Sequence, residues 1–235
     1  MTELMRRAFV CVAAASVASC AYLPTGATAQ SDRLHEDWSI FFFAGAIVAA
    51  VVVVLIMLPL VLWRRRGDGV AHPPQFRENA PLEIACTLVP LAIVAFLFYA
   101  SYANENAVDA LEATPAVTVD VTAFDWSWRF RYEGSNAEVV GTPEQPPELV
   151  LPVNETAQID LRSADVNHAF WVPAFLFKRD AIPGIDNRFD LRPDKIGVYR
   201  GECAEYCGIG HSGMTFSVRV VDDATFARWL RSGGR

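Results

Sequence analysis

The sequence predicts a hairpin of two transmembrane α-helices followed by an exported all-β domain. Three observations predict it: two long uncharged apolar runs in the first half, a basic cluster between them, and short alternating segments separated by Pro and Gly in the second half. Hydrophobic residues make up 52% of the 235-residue chain, which is typical of a protein with membrane spans. The net charge of −7 belongs entirely to residues 103–235, and an acidic domain of this kind repels nucleic acid.

Residues 1–20 are predicted to be a signal peptide. A short basic region precedes the apolar run 8–18, which is too short to span a bilayer. Two processing sites compete: residues 17–20 (Val-Ala-Ser-Cys) resemble a bacterial lipobox, which would leave a lipid-modified Cys20, and residues 27–29 (Ala-Thr-Ala) fit an A-x-A cleavage site. The lipobox is favoured because the apolar run ends next to Cys20.

Two apolar segments are predicted to cross the membrane. The first, residues 38–63, is uncharged, has a tryptophan at each end and is followed by three arginines; the second is residues 83–104. Arginine clusters mark the cytoplasmic side of a span. Residues 64–82 are therefore predicted to be a cytoplasmic loop, and residues 105–235 the exported domain.

Short strands with Pro/Gly-rich turns predict the β-structure of the exported domain. The alternating or apolar segments lie at residues 116–123, 148–153, 156–162 and 215–221. A short helix with apolar residues on one side is predicted at residues 226–230.

A cluster of metal-binding residue types lies directly before the last predicted strand, residues 215–221. Cys203, Cys207, His211 and Met214 fall within twelve residues, and His168 lies upstream. Thiolate, imidazole and thioether together are the ligands that copper prefers in electron-transfer sites. A disulfide between the two cysteines and a zinc site made by the cysteines and histidines are alternatives that these residues leave open. Zinc would leave Met214 without a role.

This loop resembles a known family. The motif CxExCGxxHxxM, with an upstream histidine in the segment DVNHAFWVP (residues 165–173), is similar to the dinuclear copper-A site of cytochrome c oxidase subunit II. The resemblance implies that the exported domain is a cupredoxin-like Greek-key barrel. It also implies that this chain is the subunit that passes electrons to the haem-copper subunit I of a bacterial aa3-type oxidase, which reduces oxygen and pumps protons. It further implies subunit III as a partner and a location in the bacterial plasma membrane, with the copper domain on the outer face.

The resemblance also implies the role of each ligand. Cys203 and Cys207 would bridge two copper ions. His168 and Met214 would be the remaining ligands of one ion. His211 and the backbone carbonyl of Glu205 would be the remaining ligands of the other. The side chain of Glu205 would face a magnesium ion at the contact with subunit I.

Trp126 is similar to the tryptophan at which the family receives electrons from cytochrome c. The family usually has Gln and Tyr where this chain has Asp125 and Ser127, so the donor is either a soluble or a membrane-bound cytochrome. The residues alone leave another interpretation open: with a period of two, Trp126 and Trp128 would share one face of a strand and pack there.

Glu83 is similar to a glutamate that the family places at the entrance of a proton path into subunit I. The alternative is a carboxylate that ends a helix at the water boundary, where acids favour the helix N-terminus.

Two other functions compete with the oxidase: a copper-A domain of a nitrous or nitric oxide reductase, and a non-catalytic copper-binding lipoprotein. The two spans and Glu83 favour the oxidase.

Overall fold

The structure is a computed structural model that describes residues 25–62 and 77–235. The predicted signal peptide and most of the predicted cytoplasmic loop lie outside these residues. The chain divides into two compact units. The described part of the first is helical and ends at residue 104; the second combines residues 25–35 with residues 105–235.

Two long helices, α1 (Ala29–Leu62) and α2 (Ala80–Asp109), are apolar and long enough to span a membrane by length and composition. Their large apolar side chains are exposed over most of this length, as a lipid-facing helix requires. Helix α1 begins before the predicted span 38–63, and helix α2 ends after the predicted span 83–104. There, the amide of Asn104 donates a hydrogen bond to Asp37 (2.5 Å).

Ten strands and a C-terminal helix follow among the described residues. The strands are β1 (Val117–Phe124), β2 (Ser127–Tyr132), β3 (Glu138–Val140), β4 (Glu148–Pro152), β5 (Ala157–Ser163), β6 (His168–Val172), β7 (Phe177–Ala181), β8 (Asn187–Leu191), β9 (Gly197–Cys203) and β10 (Thr215–Val221). Helix α3 is Asp223–Arg231.

The strands form two sheets, in the orders β3-β2-β1-β5-β8 and β4-β10-β9-β6-β7. Strands distant in sequence are parallel neighbours in both sheets, β1 with β5 and β4 with β10. Aromatic rings join the sheets: Trp128 of β2 lies 5.1 Å from Phe216 and 6.0 Å from Phe170 of the other sheet, measured between centroids. The predicted fold class, two apolar helices followed by an all-β domain, is confirmed.

Tyr132 connects the two sheets through hydrogen bonds. Its buried hydroxyl accepts a hydrogen bond from Val150 N (2.7 Å) and donates one to Val150 O (3.0 Å), which links β2 of one sheet to edge strand β4 of the other. Burial raises the pKa of Tyr132, so the hydroxyl keeps its proton. Trp229 of α3 packs on the Tyr132 ring, and Asp222 caps α3.

Candidate metal centre

The candidate ligands lie together at one end of the β-domain. His168 is the first residue of β6, and Cys203 is the last residue of the neighbouring strand β9. The loop from β9 to β10 carries Cys207, His211 and Met214, and a backbone hydrogen bond from Cys203 N to Met214 O (3.0 Å) closes its base. The sequence therefore folds into a hairpin whose connecting loop turns three donors toward the end of β6.

The donor atoms are in mutual contact around the two sulfurs. The distances are Cys203 Sγ–Cys207 Sγ 3.8 Å, Cys203 Sγ–His168 Nδ1 3.8 Å, Cys203 Sγ–Glu205 O 3.2 Å, Cys207 Sγ–His211 Nδ1 3.5 Å and Cys207 Sγ–Met214 Sδ 3.8 Å. Two atoms that bind one metal tetrahedrally at about 2.3 Å lie about 3.8 Å apart. The spacing thus fits donors that share metal ions, and both cysteines are free thiols.

Four of the donor side chains are shielded from solvent, and His211 is half-buried. His168 and Met214 are fully buried, and Cys203 and Cys207 are each 6% exposed. Met214 belongs to the donor group, which favours copper over the zinc alternative because a thioether is a soft ligand. The side chain of Glu205, by contrast, is exposed.

The two thiols differ in acidity. Burial raises the pKa of each, but at Cys203 hydrogen bonds from the His168 imidazole and the Ala169 backbone outweigh burial and lower the pKa to about 6. Burial and the adjacent Cys203 thiolate raise the pKa of Cys207 to about 12. One proton therefore stays on the sulfur pair near neutral pH, and a bound cation would displace it.

Asp165 is a functional residue that the sequence analysis did not identify. Its Oδ1 lies 2.8 Å from His168 Nε2, and its carboxylate accepts hydrogen bonds from the backbone N–H groups of Asp125 and Val166 (2.7 Å each). Burial raises the pKa of Asp165, but the bond with His168 and these two bonds outweigh burial and lower it. The carboxylate thus orients the imidazole so that Nδ1 faces the sulfurs. The Asp-x-x-His spacing was the available signal.

Trp126 contacts the metal-binding loop. It lies in the turn between β1 and β2, half-buried, and its Nε1 donates a hydrogen bond to Cys207 O (2.9 Å). A Cβ atom added at Gly210 would come within 2.4 Å of the indole, so the loop fits the ring only with glycine there. Trp128 is fully buried in the core. The prediction that both rings share one face of a strand is wrong, because Trp126 belongs to the turn.

Glu83 belongs to the helical unit rather than to the domain that holds the donors. Its Oε1 accepts a hydrogen bond from Asn79 N (3.1 Å), while Asn79 Oδ1 accepts one from Leu82 N (3.2 Å). This reciprocal arrangement is a helix cap at the start of α2. Glu83 therefore has a structural contact of its own, and its role in proton uptake stays a prediction.

A β-domain with buried thiolate, imidazole and thioether donors, attached to two apolar helices, defines a membrane-anchored metalloprotein whose donors suit copper. Residues 136–221 match the family described as cytochrome c oxidase subunit II, periplasmic domain. The chain belongs to the cytochrome c oxidase subunit II family.

Several relatives are named cytochrome c oxidase subunit 2. The chain is 34% identical to the probable cytochrome c oxidase subunit 2 of Nocardia farcinica, over 88% of this chain and 72% of that protein. It is 33% identical to cytochrome c oxidase subunit 2 of Corynebacterium glutamicum, over 88% and 74%. A solved structure, the periplasmic domain of subunit II of the Bradyrhizobium japonicum cytochrome oxidase, is 32% identical over 52% of this chain and 96% of that one, with a TM-score of 0.47.

Proposed function

We propose that the chain is the copper-A subunit of a membrane-bound cytochrome c oxidase. One observation carries the proposal: three side-chain donors, His168, His211 and Met214, and the Glu205 carbonyl surround two adjacent, nearly buried sulfurs. A dinuclear copper centre would supply a one-electron site whose ligands move little between its redox states. This chain then transfers electrons only, while oxygen reduction and proton pumping belong to subunit I of the same complex.

Each donor has a proposed role. Cys203 and Cys207 bridge the two copper ions; His168 and Met214 complete one ion, and His211 with the Glu205 carbonyl completes the other. The burial of both sulfurs, His168 and Met214 supports this assignment, because an electron-transfer site needs no open position for a substrate. The exposed Glu205 carboxylate is available for a magnesium ion at the contact with subunit I.

Two substitutions test the bridging assignment. Cys207→Ser removes a ligand of both ions and is expected to abolish the dinuclear site. Met214→Leu removes one weak ligand and is expected to keep both ions, while shifting the reduction potential and slowing electron transfer. Copper content and near-infrared absorption are measured, with Cys86→Ser, an exposed cysteine in α2, as the matched control. Equal, mild effects of the two changes would contradict bridging.

Electrons are received at Trp126 from a c-type cytochrome, soluble or membrane-bound. The indole is partly exposed, and its hydrogen bond to Cys207 O offers a short route from the surface to a metal ligand. Exposed Tyr206 and Ile209 on the same loop provide an apolar surface for contact.

Trp126→Phe tests this route, since it keeps an aromatic ring and removes the hydrogen bond to Cys207. The copper spectrum is expected to stay unchanged, and electron transfer from a reduced cytochrome c, followed by stopped-flow absorption, is expected to slow. Trp171→Phe, at a half-buried tryptophan further along β6, is the control. Equal rates for the two variants would place the route elsewhere.

Glu83 is proposed to take protons from the cytoplasm at the start of α2. The cap described above allows the two roles of Glu83 to be separated. Glu83→Gln keeps an oxygen that accepts from Asn79 N but carries no proton, whereas Glu83→Ala loses both functions. Slow oxygen consumption by both assembled variants supports proton uptake. Wild-type turnover of Glu83→Gln would leave Glu83 with the cap alone.

The proposed topology places both spans in the bacterial plasma membrane and the copper domain on the outer face, beside subunits I and III. The basic cluster at residues 64–66 supports this orientation. Single cysteines at two exposed acids test it. The substitutions are made in a chain whose other cysteines do not react with a membrane-impermeant maleimide. The maleimide is expected to label Glu144→Cys in intact cells. It is expected to label Glu78→Cys only after the cells are permeabilised. The reverse pattern would invert the topology.

A further inference from the structure

A cavity of about 310 Å³ lies where the start of α1 and the end of α2 meet the β-domain. Its lining comes from the first turns of α1, from the last turn of α2 with the segment that follows, and from two loops of the domain, at Thr156 and Arg192. All of these residues belong to one compact unit. Cavities that hold small molecules measure about 300–1,000 Å³, so this one has room for a small polar group.

Three charged side chains at the cavity have no ionic partner within the chain. Arg33, Arg192 and Glu112 line it and are exposed. Within residues 25–62 and 77–235, none of the three forms an ion pair, although both signs of charge are present. Arg192 uses its Nε to donate to Asn154 O (3.0 Å), which leaves its two terminal nitrogens for a ligand. The cavity therefore suits a ligand that itself carries both a negative and a positive group.

Hydrogen bonds hold the walls of the cavity in place. Asp190 is 4% exposed, and its two carboxylate oxygens accept from Glu112 N (2.6 Å) and from Gln158 Nε2 (3.1 Å). Across the cavity, Arg192 N donates to Gln30 Oε1 (3.2 Å) at the start of α1. Glu112 and Arg192 are thus fixed before a ligand binds, which lowers the entropic cost of binding. Since both oxygens of Asp190 are occupied, Glu112 is the acid that remains for a ligand.

The cavity lies at the depth of the lipid headgroups. Arg33 is five residues before the predicted span 38–63 on α1, and Ala107 is three residues after the predicted span 83–104 on α2. With a rise of 1.5 Å per residue, these distances along the helices are about 7.5 Å and about 4.5 Å. The headgroup layer on each side of the hydrocarbon core is about 5–7 Å thick. Ala107 and Leu111 add apolar contact on the side of the cavity formed by the end of α2.

We propose that this cavity binds the headgroup of a membrane phospholipid that carries an amino group, of the ethanolamine type. The phosphate binds between the guanidinium groups of Arg33 and Arg192, which match its geometry. The ammonium group pairs with the Glu112 carboxylate, and the glycerol end contacts Leu111. The lipid comes from the outer leaflet, which follows from the proposed topology; the preference for this headgroup depends only on the residues of the cavity.

Lipid binding to the purified membrane complex, stripped of lipid in detergent, tests the proposal. Native mass spectrometry follows the binding of phosphatidylethanolamine and of phosphatidylglycerol, which has the phosphate but lacks the ammonium group. Phosphatidylethanolamine is expected to bind about threefold or more tightly, since one partly exposed ion pair distinguishes the two lipids. An excess of inorganic phosphate is expected to leave the lipid bound. Equal binding of the two lipids, or displacement by inorganic phosphate, overturns the proposal.

Two variants assign the two ends of the headgroup. Arg33→Gln is expected to weaken binding of both lipids about tenfold, because it removes a charged donor to the phosphate. Glu112→Gln is expected to remove the preference for phosphatidylethanolamine while phosphatidylglycerol binds at least as tightly as before. The matched controls are Arg231→Gln on α3 and Glu144→Gln in the loop after β3, both at exposed positions.

The outcomes are decisive because the two substituted side chains are exposed and make no ion pair in the described chain, so the variants are expected to fold. Lipid affinity of Arg33→Gln equal to that of its control overturns the proposal, as does a preference for phosphatidylethanolamine that survives in Glu112→Gln. The measurement depends on neither copper nor turnover, so its outcome is separate from that of the proposed function.

Discussion

Substitution of Asp165 by Ala is predicted to weaken the metal site although no metal ligand changes. Asp165 Oδ1 lies 2.8 Å from Nε2 of the fully buried His168, so its loss leaves a buried N–H without its acceptor. A lost hydrogen bond to a charged group costs about 1.5–3 kcal/mol. Removal of a partner that orients a ligand typically lowers metal affinity about 10–100-fold, which corresponds to about the same free energy. The two estimates agree.

Asp165→Asn separates orientation from charge. The amide oxygen still accepts a hydrogen bond from His168 or from Asp125 N, so the affinity is expected to fall by less than about tenfold. Copper retention is measured by competition with a chelator, with Glu144→Ala, an exposed acid in the loop after β3, as the control. The expected order of affinity is control, Asn, Ala. If the Ala variant retains copper as tightly as the control, Asp165 does not position His168.

Three further changes test other parts of the structure. Tyr132→Phe leaves a buried peptide group without its hydroxyl partner and is expected to cost about 1–3 kcal/mol in unfolding free energy, read as a lower denaturant midpoint with an unchanged copper spectrum. Gly210→Ala is expected to displace the Trp126 ring, seen as changed tryptophan fluorescence and slower reduction by cytochrome c. Hydrogen bonds from Thr225 lower the pKa of Asp222. The stabilisation that Asp222 gives as a helix cap is therefore fully present above the usual Asp pKa and is lost as the pH falls through the lowered pKa. The Tm of Asp222→Ala is expected to approach that of the wild type in strong acid.

Patterns that depend on neighbours in sequence were predictable. Strand β10 alternates polar and apolar residues, and the structure buries Phe216, Val218 and Val220 as that period requires. The loop motif placed Cys203 and Cys207 four residues apart, and their sulfurs lie 3.8 Å apart. In both cases the local spacing of residues determines which side chains meet.

Other strands were missed because their surroundings, not their sequence, make them strands. Strand β6 (His168–Val172) lies between β7 and β9 and is apolar on both faces, so it shows no alternation. Strand β7 carries three consecutive charged residues at the edge of its sheet. The residues between the first two predicted strands contain β2 and β3, two strands that pair as a hairpin.

The features of the site that the sequence did not reveal depend on tertiary contacts. Asp165 is one acid among many until the fold brings it against His168, and nothing local to Trp126 reveals that its indole bonds to Cys207, 81 residues away. The burial of Ala27 and Thr28 in the β-domain was likewise hidden, because small residues before an apolar run also fit a cleavage site.

Electron paramagnetic resonance of the purified, copper-loaded chain tests the central claim most directly. The contacts of Cys203 and Cys207 with each other and with four further donors predict two copper ions that share one unpaired electron. The expected spectrum has hyperfine structure from two equivalent copper nuclei, with two copper ions bound per chain. Hyperfine structure from a single copper nucleus, or a chain that binds zinc in place of copper, would contradict the account.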